Sequence, residues 1–127
     1  DYNRMNLLLA VLEKRAGYCF AALDVYLNVV GGLRLDEPAA DLPVAVALVS
    51  SLRDKPVDDE LIAFGEIGLG GELRSVHNIA ERVREAQRLG FTRAIVPRSS
   101  LPLLQKQGVW EIELLPAANL RDAFRMI

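Results

Sequence analysis

The 127-residue chain is long enough for one domain, and its 51% hydrophobic and 25% charged residues are globular averages, which excludes disordered, collagen-like and low-complexity classes. Fifteen basic and 17 acidic residues give a formal net charge of −2, which argues against a strongly basic nucleic-acid binder. No apolar run approaches the ~20 residues of a membrane span, the opening Asp1-Tyr2-Asn3-Arg4 carries no signal-peptide pattern, and a lone Cys19 excludes an internal disulfide and suits a reducing, cytoplasmic setting.

Met5, Leu8, Leu9 and Leu12 fall at helical spacing, with Asp1 as a first-turn acceptor, Lys14-Arg15 at the negative end and Gly17 as the stop. A chain without an initiator Met that begins directly in a helix is expected to be a fragment of a longer protein. Leu23 to Val30 alternates in polarity and predicts a strand with one buried face; Gly31-Gly32 bends it and Leu33-Arg34-Leu35 continues the sheet. Asp41 is then the expected cap of a helix through Leu42, Ala45, Val46, Val49 and Leu52, buried nearly all round, because Pro43 fits only a first turn. Leu61 to Ile67 reads as one strand, paired as a hairpin with Glu72 to Val76 across Gly68-Leu69-Gly70-Gly71. Asn78 and Glu81 have the spacing of a capping box, opening a helix to Leu89 that stops at Gly90. Ala94-Ile95-Val96 predicts a short buried strand, and the order strand, helix, strand favours a parallel pair. A short helix (Leu101 to Gln107), a strand (Val109 to Leu114) and a terminal helix (Ala117 to Met126) close the domain.

The charge is unevenly spread. Between Asp24 and Glu72 ten acids face three bases, and from Arg74 to Lys106 seven bases face two acids, local balances of −7 and +5. Such asymmetry suits an oriented contact, either head-to-tail between subunits or with an anionic partner. The recognisable chemistries fail in turn. One His77 and one Cys19 cannot form a zinc set, and no carboxylate loop has calcium spacing. Gly68-Leu69-Gly70 lacks a third glycine at position 73, is followed by a strand, and no Gly-Lys-Ser/Thr occurs, so no phosphate loop is present. The serines (Ser50, Ser51, Ser75, Ser99, Ser100) and lysines (Lys14, Lys55, Lys106) form no catalytic pattern by spacing alone.

The segments Gly65-Glu66-Ile67-Gly68-Leu69-Gly70-Gly71-Glu72-Leu73-Arg74 and Leu89-Gly90-Phe91-Thr92-Arg93-Ala94-Ile95-Val96-Pro97-Arg98 resemble the proteolytic domain of Lon-type peptidases. With Leu8 to Arg15, Asn28 to Leu33, Glu37 to Leu42 and Ser50 to Asp54, the closer resemblance is to the C-terminal Lon-like domain of the RadA (Sms) family of bacterial DNA repair and homologous recombination ATPases. It covers essentially the whole chain as a single Lon-like domain, residues 1–127, and implies an α/β (α+β) fold like ribosomal protein S5 domain 2, a mixed sheet with flanking helices. Active Lon members carry Asp-Gly-Pro-Ser-Ala-Gly where this chain has Asp36-Glu37-Pro38-Ala39-Ala40-Asp41, which puts Ala39 at the nucleophile position; Ala80 stands at the lysine position. A methyl group neither attacks a carbonyl nor accepts a proton, so this chain is expected not to be a peptidase.

The resemblance further implies a hexameric ring and a DNA-binding surface for single-stranded or branched DNA, with no membrane role. No cofactor is expected within this chain; ATP, magnesium and a four-cysteine zinc element are implied for a preceding part of the full-length protein, expected to be a DNA-dependent ATPase. The candidate DNA contacts are Arg34, Arg74, Arg82, Arg84, Arg88 and Arg98, because a guanidinium grips phosphate in a fork and never loses its charge. Arg84 and Arg88, four apart on one helix, repel unless an anion lies nearby, and with only Phe91 in the segment, base stacking is not expected. The rival readings are a purely structural oligomerisation module and an active Lon-type serine peptidase using another serine.

Overall fold

The computed structural model describes residues 2–28 and 37–127. Asp1, Arg34, Asp36 and the predicted sheet residues 29–35 lie outside the described residues. Helix α1 (Tyr2–Ala16) buries Leu8, Val11 and Leu12 at the predicted spacing. Gly17 ends it at φ +79°, and the Tyr18 N–H reaches back to the Leu12 carbonyl at 3.1 Å, a Schellman closure that needs the left-handed residue in between. A 3₁₀ turn, Pro38–Ala40, leads into α2 (Asp41–Arg53).

Three parallel strands, β1 (Leu61–Ala63), β4 (Arg93–Pro97) and β5 (Glu113–Ala117), form a sheet in the order β1-β4-β5. The chain passes from β1 to β4 through a two-stranded hairpin, β2 (Glu66–Ile67) and β3 (Leu73–Arg74), and helix α3 (Ile79–Arg88). It passes from β4 to β5 through a 3₁₀ turn and α4 (Leu101–Lys106), and ends in α5 (Leu120–Phe124). Two apolar clusters follow from the period of two. Leu61, Ala63, Ile95 and Ala117 pack with α1, α2 and α5 in one cluster. Ala94, Val96, Ile62 and Leu114 pack with α3 and α4 in the other. The central strand β4 is therefore apolar on both faces, with Ala94, Ile95 and Val96 fully buried.

The predicted parallel pair, hairpin and helix order are present, and several local expectations are corrected. Residues 23–28 form no strand: Leu23, Tyr26 and Leu27 are exposed and no described strand pairs with them, so alternation found no ladder to join. Leu61 to Ile67 is two strands in different sheets, because the Phe64 N–H still bonds to the Ile95 carbonyl while the next amide, Gly65, turns to the Ala39 carbonyl. The mixed sheet is thus a parallel sheet beside a separate antiparallel hairpin among the described residues. Helix α2 leaves Ala47 and Leu52 exposed and is not buried all round. The last strand lies later than predicted, starting at Glu113, and α5 starts at Leu120, where the Asn119 side chain accepts the Asp122 N–H at 2.9 Å.

Candidate functional site

The two alanines that the Lon resemblance puts at the dyad positions are both buried, Ala39 at 3% and Ala80 at 4% exposure. Ala39 lies in the 3₁₀ turn, whose Glu37 carboxylate accepts the Ala39 N–H at 3.3 Å. The turn is stitched to the junction of β1 and β2: the Gly65 N–H bonds to the Ala39 carbonyl and the Leu42 N–H to the Gly65 carbonyl. Ala80 is the second residue of α3 and belongs to the cluster on the other face of the sheet. The segments carrying the two alanines are joined by an ion pair, Arg82 to Glu37 at 2.8 Å, while the Arg82 Nε donates to the His77 carbonyl at 2.7 Å.

Neither predicted cap is formed by the expected side chain. Asp41 sits inside the first turn of α2, 5% exposed, and its carboxylate accepts the Ile67 N–H at 3.0 Å and the Arg4 Nε at 3.1 Å, with an Arg4 Nη2 contact to the same group. Arg4 Nη2 also donates to the Ile67 carbonyl at 3.3 Å. The hydrogen bond to Asp41 holds the Arg4 guanidinium above its ordinary pKa. A tertiary partner has taken the carboxylate that the local pattern assigned to a cap. Asn78 adopts the left-handed conformation at φ +57° and its side chain makes no cap bond, so no capping box forms with Glu81.

Among the described residues no hydrogen bond joins a serine hydroxyl to a lysine amine. Ser75 and Ser99 share a hydrogen bond at 2.8 Å, and the Ser50 hydroxyl donates to the Lys55 backbone carbonyl. Ser100 is buried with no partner for its hydroxyl among the described residues. Lys14, Lys55 and Lys106 are all exposed. Among the described residues no group of three or more His, Cys, Asp or Glu could hold a metal ion, and no helix is long and apolar enough to cross a membrane.

The described candidate arginines are spread over the hairpin, α3 and the turn after β4, and most are matched by a carboxylate of the same chain. Arg74 pairs with Glu72 at 3.1 Å, Arg98 with Asp122 at 3.7 Å, and the Arg88 Nε with Glu85 at 2.9 Å. The Arg88 bond draws the Glu85 carboxyl below its usual range and raises Arg88 in turn. Arg84 differs: its guanidinium lies 5.5 Å from the centre of the Trp110 ring. The expected repulsion between Arg84 and Arg88 is thus relieved within the chain, by Glu85 for one and an indole face for the other. Trp110 carried no signal in the sequence, since it stands 26 positions from Arg84 in a segment read as strand.

A matching family model covers residues 6–100 and is described as "Subunit ChlI of Mg-chelatase"; the chain belongs to that family. Over essentially its whole length the chain is also similar to proteins named DNA repair protein RadA. The Synechocystis sp. protein is 55% identical over 94% of this chain and 23% of its own length. That of Streptococcus pneumoniae is 52% identical over 100% of the chain and 30% of its own length, and that of Escherichia coli 47% over 97% and 26%. The chain spans about a quarter of the length of these curated relatives.

Proposed function

We propose that this chain is a non-peptidase, Lon-like domain of a cytoplasmic RadA-type DNA repair and recombination ATPase, promoting a hexameric ring and presenting an arginine face to DNA phosphates. Loss of peptidase chemistry is supported by the buried methyl groups of Ala39 and Ala80 where the resemblance puts nucleophile and lysine. The observation that carries the DNA role is helix α3, which bears Arg82, Arg84 and Arg88 and leaves the Arg84 charge unmatched by a carboxylate among the described residues. ATP hydrolysis, with its magnesium, and the zinc element belong to parts of the full-length protein outside this chain. The same ion pairs favour the rival structural reading, because Arg74, Arg82, Arg88 and Arg98 are already engaged within the chain.

The discriminating experiment keeps Arg82, which holds Glu37, and reverses Arg84→Glu with Arg88→Glu in the full-length protein. If the face meets phosphates, affinity for single-stranded DNA falls and the salt dependence becomes shallower by roughly one unit for each phosphate that is no longer neutralised. Unchanged affinity and salt slope, with the ring intact by sedimentation, would leave the domain a structural module.

A further inference from the structure

We infer that the Arg84–Trp110 pair is a stacking platform for an unpaired nucleobase, so that the partner of this face is single-stranded nucleic acid with its bases exposed; this rests on the DNA-binding reading above. Of the six arginines between positions 74 and 98, five form ion pairs with carboxylates of the chain, including Arg93 with Asp58 at 2.9 Å. Of these six, Arg84 alone pairs with no carboxylate among the described residues and lies instead over an aromatic ring. Such a contact fixes the orientation of the guanidinium without cancelling its charge, whereas a carboxylate does both.

The indole is itself locked. Its Nε1–H donates to the Leu104 carbonyl of α4 at 2.8 Å, and the next two amides, Glu111 and Ile112, both donate to the Gln87 Oε1 of α3 at 2.9 and 3.1 Å. Trp110 packs against the buried cluster under α3 while remaining partly exposed. Arg84 is exposed, one helical turn before Arg88. With its side chain exposed and its guanidinium centre 5.5 Å from a fixed ring, Arg84 offers a planar cation on which a base can stack, because every base has a π-face. The charge of Arg84 then also attracts the adjacent phosphate, and Arg88 extends the same edge along the strand. Neither feature requires a particular base, so recognition is of single-strandedness and not of sequence.

The test uses the 127-residue chain, whose single tryptophan makes its emission a direct reporter of Trp110. Labelled dT20 and an abasic 20-mer with the same number of phosphates are titrated at low salt against wild type, Arg84→Lys and Arg84→Ala, each first matched to wild type by circular dichroism. We expect wild type to bind dT20 roughly five-fold or more tighter than the abasic strand, with Trp110 emission changed by dT20 only. Arg84→Lys, which keeps the charge but loses the planar face, should bind both strands alike and keep its abasic affinity; Arg84→Ala should weaken both. Equal binding of both strands by wild type, or an undiminished dT20 preference in Arg84→Lys, overturns the stacking role and leaves the phosphate reading standing. No binding of either strand by the wild-type chain overturns the stacking role, and no binding by the full-length protein overturns the phosphate reading as well.

Discussion

Arg4 and Asp41 occupy unequal places in their ion pair: the Asp41 side chain is 6% exposed and that of Arg4 36%. Removing either partner therefore does different damage. Arg4→Ala leaves a buried carboxylate with the Ile67 amide as its remaining donor, and an uncompensated buried charge costs about 3 kcal/mol or more. Asp41→Ala lets Arg4 turn toward water and orphans the Ile67 N–H, a loss of about 1–3 kcal/mol. We expect both variants to unfold at lower urea concentration, with Arg4→Ala the more affected; the reverse order would mean that the Asp41 acceptor, not its neutralisation, holds the joint. This residue was legible only as a cap, since its partner lies 37 positions away. Ala39 was legible as a position because a motif frames it, and Ala80 by its place near the start of α3, while their dyad roles rest on the resemblance alone. The pairing of each arginine was not, because only folding decides which carboxylate or ring it meets.

The hairpin β2–β3 shows how an element is fixed by its neighbours as much as by its own turn. The Gly71 carbonyl accepts the Leu120 N–H at 3.0 Å and the Leu73 N–H bonds to the Ala118 carbonyl at 2.9 Å, so the hairpin is clamped to the start of α5. Gly71 has φ +82°, and a Cβ there would stand 2.8 Å from the Arg15 Cβ. Gly71→Ala adds left-handed strain of about 1–2 kcal/mol to a clash that α1 must move to relieve. At Gly70 the nearest atom would be the Glu72 carboxylate at 3.1 Å, the far end of a flexible chain. We expect urea midpoints to fall by roughly 2 kcal/mol equivalent for Gly71→Ala at unchanged m-value and to move little for Gly70→Ala; equal effects would refute the α1 clamp. Helices α1 and α3, the buried β4 and this hairpin were readable because period and glycine spacing are local signals. The β5 register was not: Gln87 takes the Glu111 and Ile112 amides, and Glu113 is the first residue whose N–H reaches the Thr92 carbonyl. Alternation over 23–28 likewise describes a capacity for pairing that needs an edge to realise it.

At the scale of the molecule, the acidic and basic stretches are partly neutralised against each other within one chain, through Glu37–Arg82 and Asp58–Arg93. Asp24, Asp54, Asp59 and Glu60 of the acidic stretch remain exposed and enter no ion pair among the described residues. The same pairs set the response to acid. The Glu60 amide and then Arg93 hold Asp58 low; the backbone amide of Glu72 and then Arg74 hold Glu72 low; Arg88 holds Glu85 low. Each carboxyl releases its proton more readily in the folded chain than in the unfolded one, so the stability it contributes is present above the unfolded pKa and is lost as pH falls through the folded value. Below that window, protonation of the acids also leaves the 15 Lys and Arg charges unopposed. Melting temperature should therefore be level from about pH 8 to 5 and fall steadily below about pH 4.5. Added salt at pH 3.5 should recover part of the loss by screening the repulsion, whereas near neutrality it should do little, because these pairs are exposed and individually weak. A melting temperature unchanged between pH 7 and pH 3 would show that the internal pairs do not contribute. The acidic and basic stretches would then be free for contacts between chains.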